Sequence, residues 1–257
     1  MRITVLGAGA FGSALGHILE SKKHEVTYYS LNSEITLEKA LEGAETIVLA
    51  IPSKAVDEML PKLPKNVPLI VATKGILDTD LFKDFADVMI LSGPGFAADI
   101  EKHVKTTLTA TDPRIRDLFE TPWLKFELTA DEKGVLLCGA LKNVYAIYAG
   151  SHNLKPGSDK YSKFIETALQ EFKLILLKNG ANPKTAELSC GRGDLILTCD
   201  FPSRNFEFGQ NLIAGKTEST KTVEGVTALK RIKHGELKVP TAAGILHELI
   251  KESDAGA

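Results

Sequence analysis

Arg2-Ile3-Thr4-Val5-Leu6-Gly7-Ala8-Gly9-Ala10-Phe11-Gly12 is the stretch that decides the fold. Its first five residues, β-branched and apolar, predict a short strand. The glycines that follow are spaced Gly-x-Gly-x-x-Gly, and residues 13–22 read as an amphipathic helix. Between a strand and a helix this spacing has a physical meaning. Gly7 makes the tight turn, Gly9 lets backbone approach a pyrophosphate, and Gly12 lets the helix pack on the strand. The helix N-terminus then presents its N–H groups to the anion.

Outward from that turn, residues 24–29 predict a second strand and 36–42 a helix. Residues 46–51 form a continuously apolar strand closed by Pro52-Ser53, 55–60 a helix, and 68–73 and 88–91 two further strands. Apolar strands alternating with helices predict a parallel sheet covered on both faces. From about residue 130 the strand signals fade, and 131–150, 163–179, 225–235 and 242–252 read as helices. The fold class is therefore α/β: an N-terminal Rossmann-type parallel-sheet domain over 1–129, followed by a C-terminal all-α domain over 130–257.

The composition excludes several functions. With 257 residues, 44% hydrophobic and 25% charged, the chain is long enough for two domains of ordinary globular character. A formal net charge of -2 gives no reason to expect nucleic acid or an anionic membrane as partner. Cys138, Cys190 and Cys199 have no paired spacing, and the six histidines form no HxxxH pair, so neither a disulfide framework nor a metal site is expected. The chain opens directly on a strand, without a signal-peptide pattern, and no apolar run is long enough to span a membrane. A cytoplasmic protein is expected, and an apolar helical second domain is compatible with a homodimer.

The glycine turn implies NAD or NADP. The second strand ends Tyr29-Ser30-Leu31-Asn32. An acid here would hold a ribose 2′-hydroxyl and an arginine a 2′-phosphate. Neither is present, while Ser30 and Asn32 can donate hydrogen bonds to either group. The missing acid leans slightly toward NADP.

Lys142 lies in Gly139-Ala140-Leu141-Lys142-Asn143-Val144-Tyr145-Ala146-Ile147, where nearly every neighbour is apolar or small. An ammonium there needs a partner, a route to water, or a lowered pKa. Three other stretches carry chemistry. Ala72-Thr73-Lys74-Gly75 places a lysine at the carboxyl end of a parallel strand, the edge where open α/β sheets bind ligands. Ser92-Gly93-Pro94-Gly95-Phe96-Ala97 is a glycine-rich turn with backbone N–H groups suited to an anion. In the helical half, Gly193-Asp194-Leu195 precedes Ser203-Arg204-Asn205. Singly, Lys74 reads as a solvated strand end, Asp194 as a helix cap and Arg204 as a surface cation. Together they supply cations for a phosphate, a lysine for a proton and an aspartate to hold that lysine.

With these residues the chain resembles the NAD(P)-dependent glycerol-3-phosphate dehydrogenase family, as a shortened member. The resemblance runs in order from Gly7–Gly12 through Ala50-Ile51-Pro52-Ser53, Ala72–Gly75, Ser92–Ala97, Gly139–Val144, Gly193–Cys199 and Ser203–Asn205 to Val223-Glu224-Gly225. It implies an oxidoreductase moving a hydride between NAD(P)H and dihydroxyacetone phosphate or sn-glycerol 3-phosphate, with a place in glycerophospholipid synthesis. It also implies roles. Lys142 is the general acid/base, with Asp194 as its catalytic partner. Lys74, Gly93, Gly95, Lys142, Asp194, Ser203, Arg204 and Asn205 bind the small phosphorylated substrate. Gly7, Gly9, Ala10, Phe11, Gly12, Ser30, Asn32, Lys74, Ala97, Arg204 and Glu224 bind the cofactor.

Some positions depart from the family pattern. Gly95 stands where a hydroxyl residue is usual, and Leu31 where an arginine often reads the NADP phosphate. A helix and a strand of the usual Rossmann half are missing between the second strand and Thr46, which points to a reduced adenosine pocket. A β-hydroxyacid dehydrogenase or ketopantoate-type reductase is the competing enzyme. Such enzymes usually carry an asparagine four residues after the lysine, where this chain has Ala146. A dinucleotide-binding protein without catalysis is the alternative of another class, motivated by the trimmed N-terminal half.

Overall fold

The computed structural model describes residues 1–214 and 223–255, in two compact units. The first comprises Met1–Thr73 and Thr79–Glu132, and the second Lys74–Asp78 and Lys133–Ala257. The boundary expected at 129/130 had no place for residues 74–78. They are flanked in sequence by the sheet unit yet belong to the helical one, where Lys133 Nζ lies 3.6 Å from Asp78 Oδ1.

The first unit is built on a seven-stranded sheet. Its strands are β1 (Arg2–Leu6), β2 (Glu25–Tyr29), β3 (Thr46–Leu49), β4 (Leu69–Val71), β5 (Val88–Ser92), β6 (Thr106–Ala110) and β7 (Leu124–Leu128), in the order β2-β1-β3-β4-β5-β6-β7. The first five are mutually parallel. Leu6 pairs with Tyr29 on one side and Leu49 on the other, so β1 is where the strand order reverses. Such a reversal point is where open α/β sheets bind ligands. Helix α1 (Ala10–Ser21) leaves β1 through the glycine turn. Its Ala14, Leu15, Ile18 and Leu19 pack with Ile3, Val5, Val48, Ile70 and Leu91, one face of the sheet. Leu6, Ile47, Leu49, Leu69 and Val71 alternate with these and are also fully buried. Burial on both faces is why these strands read as unbroken apolar runs.

One local expectation needs correction. β6 pairs antiparallel with β5 and parallel with β7, so the last two strands run against the other five. In β7, Leu-Lys-Phe-Glu-Leu, polar and apolar residues alternate, as suits a strand half open to water, whereas β6, Thr-Thr-Leu-Thr-Ala, is buried from Leu108 onward, Thr109 included. The helix expected over 55–60 forms, with tighter turns at its two ends. α3 (Val56–Met59) is flanked by single tight turns, Ser53–Ala55 and Leu60–Lys62, and Pro61 cannot donate the bond that would extend it. The remaining short helices of this unit are α2 (Leu37–Leu41), α4 (Ala97–Glu101) and α5 (Pro113–Phe119). Thr36 caps α2 and Asp112 caps α5.

The second unit is helical: α6 (Glu132–Ser151), α7 (Asp159–Lys178), α8 (Asp194–Thr198), α9 (Arg204–Ile213), α10 (Glu224–Lys233) and α11 (Gly244–Ala255). α6 is buried all round. A Cβ on Gly150 would lie 2.0 Å from Phe206 O, and one on Gly209 2.1 Å from Ile147 O. α6 and α9 therefore meet backbone to backbone. Tyr145 of α6 stacks edge-on against Phe172 at 5.0 Å and donates its hydroxyl to Glu171 Oε2 at 2.6 Å. The buried Glu171 carboxylate also accepts the Ile245 and Leu246 N–H groups at 2.8 and 3.3 Å, which caps α11. Burial, helped by this carboxylate, holds the Tyr145 phenol well above its ordinary pKa. Among the described residues no helix is long and apolar enough to cross a membrane.

Candidate active site

Lys142 sits in the middle of α6 and is 3% exposed. The helix offers it no polar face along which to reach water. Its Nζ forms an ion pair with Asp194 Oδ1. Asp194 is itself 1% exposed, and Lys74 Nζ lies 3.7 Å from its other oxygen, Oδ2. Thr198, one helical turn after Asp194, donates to Oδ1 at 3.3 Å. Two ammonium groups thus face one carboxylate, a cluster with an excess of positive charge.

Local geometry delivers the aspartate. α8 follows directly on a wide π-type turn, Ser189–Gly193. One extra residue in a turn rotates the side chains after it by about 100°, and such turns recur at functional sites. Gly191 makes the turn fit, because a Cβ there would lie 2.2 Å from Ala186 O.

Burial pushes the Lys142 pKa down to about 7. The Asp194 carboxylate opposes that shift and the Lys74 ammonium adds to it. Lys142 can therefore gain or lose its proton near neutral pH, unlike an ordinary lysine. The adjacent Cys199 thiol is buried and pushed far above its usual range, which makes it a packing residue rather than a nucleophile.

The other predicted residues of this unit gather at two helix starts. Ser203 is buried at the N-cap of α9, Arg204 is the exposed first residue of that helix, and Asn205 is buried behind it. Glu224 is the first residue of α10. Asn205 Nδ2 donates to Asn143 Oδ1 at 2.9 Å, and Asn205 Oδ1 accepts the Gly225 N–H at 2.9 Å. Asn143, Thr198 and Gly225 were not among the predicted site residues. Thr198 had a signal, its i+4 spacing from Asp194. The asparagine pairing spans 62 residues and had none.

In the sheet unit, Gly7–Gly12 stand at the carboxyl end of β1, and Gly93, Gly95 and Ala97 follow that of β5. With β1 and β5 parallel, both groups lie at the same edge. Gly7 has φ +107°, and a Cβ there would lie 2.4 Å from Ala50 O. A Cβ on Gly12 would lie 2.0 Å from Gly7 O. Gly9 differs: a Cβ there meets nothing within 4 Å, and its φ of -78° suits any residue. Neither packing nor backbone strain calls for glycine at position 9. The space beside it, next to a helix start without a side-chain cap and led by Ala10 and Phe11, fits a dinucleotide pyrophosphate.

At the end of β2 the Ser30 N–H donates to Ser33 Oγ at 2.8 Å, and the two hydroxyls lie 3.3 Å apart. Leu31 is 91% exposed and Asn32 is exposed beside it. Away from these groups, His152, Glu248 and Glu252 bring three potential ligand atoms within 4.8 Å of one another on the surface of the helical unit.

A Rossmann-type sheet with a glycine turn at its reversal point, together with a helical unit holding a buried lysine–carboxylate pair, defines a two-unit nicotinamide-dependent dehydrogenase. The chain belongs to the NAD(P)-dependent glycerol-3-phosphate dehydrogenase family. The family's C-terminal model, "NAD-dependent glycerol-3-phosphate dehydrogenase C-terminus", matches residues 131–252. The N-terminal model matches residues 2–38 and 29–116. The chain is similar to glycerol-3-phosphate dehydrogenase [NAD(P)+] of Anaeromyxobacter sp. (strain K), 32% identical across 84% of this chain and 81% of that protein. It is similar to the enzyme of the same name from Myxococcus xanthus, 29% identical across 97% and 91%. The crystal structure of glycerol-3-phosphate dehydrogenase from Coxiella burnetii shares the fold, with a TM-score of 0.81, 23% identity, and coverage of 98% of this chain and 95% of that one. A dimeric ketopantoate reductase from Staphylococcus aureus shares it more distantly, at a TM-score of 0.52.

Proposed function

We infer that this chain catalyses reversible hydride transfer between NAD(P)H and dihydroxyacetone phosphate, giving sn-glycerol 3-phosphate. The observation that carries the reading is the buried Lys142–Asp194 ion pair with Lys74 at 3.7 Å from the same carboxylate. A bound nicotinamide supplies the hydride. Lys142, as ammonium, stabilises the charge that develops on the substrate oxygen and gives it a proton. In the reverse direction neutral Lys142 takes that proton back. Asp194 keeps the ammonium oriented and offsets its desolvation. Lys74 adds positive charge, which favours an anionic substrate.

Arg204, Ser203 and Asn205 at the start of α9 hold the phosphate, combining a guanidinium with helix N–H groups. Binding energy from that remote group fixes the carbonyl for reaction. Gly93 and Gly95 would offer bare backbone N–H groups to the substrate. Gly7, Gly9, Ala10, Phe11 and Gly12 hold the pyrophosphate, with Ser30, Asn32, Lys74, Ala97, Arg204 and Glu224 contributing to the cofactor.

Both dinucleotides are accepted in this reading, with a lean toward NADP because no carboxylate stands at positions 29–32 to repel a 2′-phosphate. Leu174 and Leu177, exposed on one side of α7, support a homodimer. Three buried cysteines that form no disulfide suit a reducing cytoplasm. The test is oxidation of NADH and of NADPH with dihydroxyacetone phosphate, with ketopantoate as comparison. Turnover with the triose phosphate supports the assignment. Turnover on ketopantoate, or dinucleotide binding without turnover on either, overturns it.

A further inference from the structure

We propose that Asn143 is a positioning residue that locks the starts of α9 and α10 into one register, so that substrate and cofactor bind cooperatively. The proposal rests on the assignment of Arg204 and Asn205 to the substrate and of Glu224 to the cofactor. Asn143 follows Lys142 directly, so its side chain leaves α6 about 100° around the helix from the lysine. It is buried, as is Asn205. Its Nδ2 donates to Gly139 O at 3.1 Å, which leaves Oδ1 to accept from Asn205 Nδ2 at 2.9 Å. Asn205 Oδ1 in turn accepts the Gly225 N–H at 2.9 Å.

The bonds run with one polarity, from the Gly225 N–H through two amides to the Gly139 carbonyl. Each middle member must accept on one side and donate on the other, which a carboxylate cannot do and a serine is too short to do. The chain has no slack. A Cβ on Gly225 would lie 2.4 Å from Asn143 O, so the start of α10 rests on the α6 backbone at this same residue. Asn205, inside the chain, adjoins Arg204, and Gly225 at its donor end adjoins Glu224. A shift of Asn205 as phosphate binds is thus passed to Gly225 and its neighbour Glu224. By linkage the effect is reciprocal: cofactor at Glu224 tightens the phosphate site by the same factor.

The test is calorimetric titration of glycerol 3-phosphate, with and without saturating NADPH, a pair that cannot react with each other. Wild-type protein is expected to bind glycerol 3-phosphate at least about fivefold more tightly with cofactor present, the lower end of ordinary coupling. In Asn143→Ala the gain is expected to fall below about twofold on the same scale. Gly225→Ala should give the same loss from the opposite end. Asn143→Asp keeps the shape and the acceptor for Asn205 but cannot donate to Gly139 O, and it should lose the gain as Asn143→Ala does. If Asn143→Ala does not fold, Gly225→Ala and Asn143→Asp carry the comparison. An unchanged gain in folded Asn143→Ala overturns the proposal. So does a loss of turnover with both affinities and their coupling intact, since Asn143 would then act on the reacting atoms. Absence of turnover in the wild type with the gain present would sink the enzymatic assignment and leave the coupling standing. Turnover without the gain would do the reverse.

Discussion

Replacing Asp194 by asparagine tests the charge logic of the buried cluster. The shape and the bond from Thr198 are retained, and only the negative charge is removed. Among the groups that set the Lys142 pKa of about 7, Asp194 is the one that raises it, while burial and Lys74 lower it. A carboxylate beside a cation shifts a pKa by about 1 to 3 units. Its loss should lower the Lys142 pKa further by a shift of that order. At pH 7 a smaller fraction of Lys142 is then ammonium, since the carboxylate that favoured the charged form is gone. Reduction of dihydroxyacetone phosphate uses the ammonium. Its rate at pH 7 should fall about 5- to 500-fold from protonation alone, and the alkaline limb of the pH profile should move to lower pH. Acidifying the assay should recover part of the loss. The measurement is steady-state NAD(P)H oxidation from pH 5 to 9 in both proteins. A variant with wild-type rate and an unmoved limb would refute the role given to Asp194.

Lys142→Met should fold and lose at least ~10²-fold in turnover, the lower end of acid/base contributions. Its stability should also lose one pH dependence. The folded Lys142 pKa of about 7 lies below the ordinary 10.5, so between these values the unfolded chain binds more protons and wild-type stability rises with pH. Chemical denaturation at pH 7 and pH 10 should show that rise in wild type and a smaller one in Lys142→Met. Gly9→Ala should cost under about 1 kcal/mol of stability, within the range for helix N-caps, yet weaken dinucleotide binding by calorimetry. Undiminished binding would argue against the space beside Gly9 as a ligand cradle. Gly12→Ala is the contrast, because its Cβ would lie 2.0 Å from Gly7 O, and a stability loss of about 1–3 kcal/mol is expected. Gly191→Ala should destabilise by a similar about 1–3 kcal/mol and lower turnover together, since it forces the π-type turn away from Ala186 and moves Asp194. Full activity there would show that the turn does not aim the carboxylate.

Much of the fold could be read from the sequence because burial and pattern coincide. β1, β3, β4 and β5 are apolar on both faces and bounded by turns, so their residues announce them. β6 and β7 do not, since their threonine, lysine and glutamate positions resemble a surface loop. Reversal of direction at β5 is a property of pairing, which no single strand carries. α8 reads Asp-Leu-Ile-Leu-Thr, a pattern equally suited to a strand, and the turn before it reads as a glycine loop. In the site, Lys142 was conspicuous because a charge amid apolar residues requires a partner. Glu171 was not, because glutamates punctuate the amphipathic α7 and only the fold turns this one inward to Tyr145 and the start of α11. The pairing of Asn143 with Asn205 is tertiary throughout.

The membership of residues 74–78 has a consequence for dissecting the molecule. The chain leaves the sheet unit for five residues and returns to it, so neither unit is a contiguous gene segment. A fragment cut after Glu132 would contain the whole helical run and still lack Lys74 and Asp78. It would lose the cation 3.7 Å from Asp194 and the partner of Lys133. Separately expressed halves therefore cannot each be whole. Restoring the helical half takes a peptide spanning residues 74–78, supplied in trans or grafted onto its start.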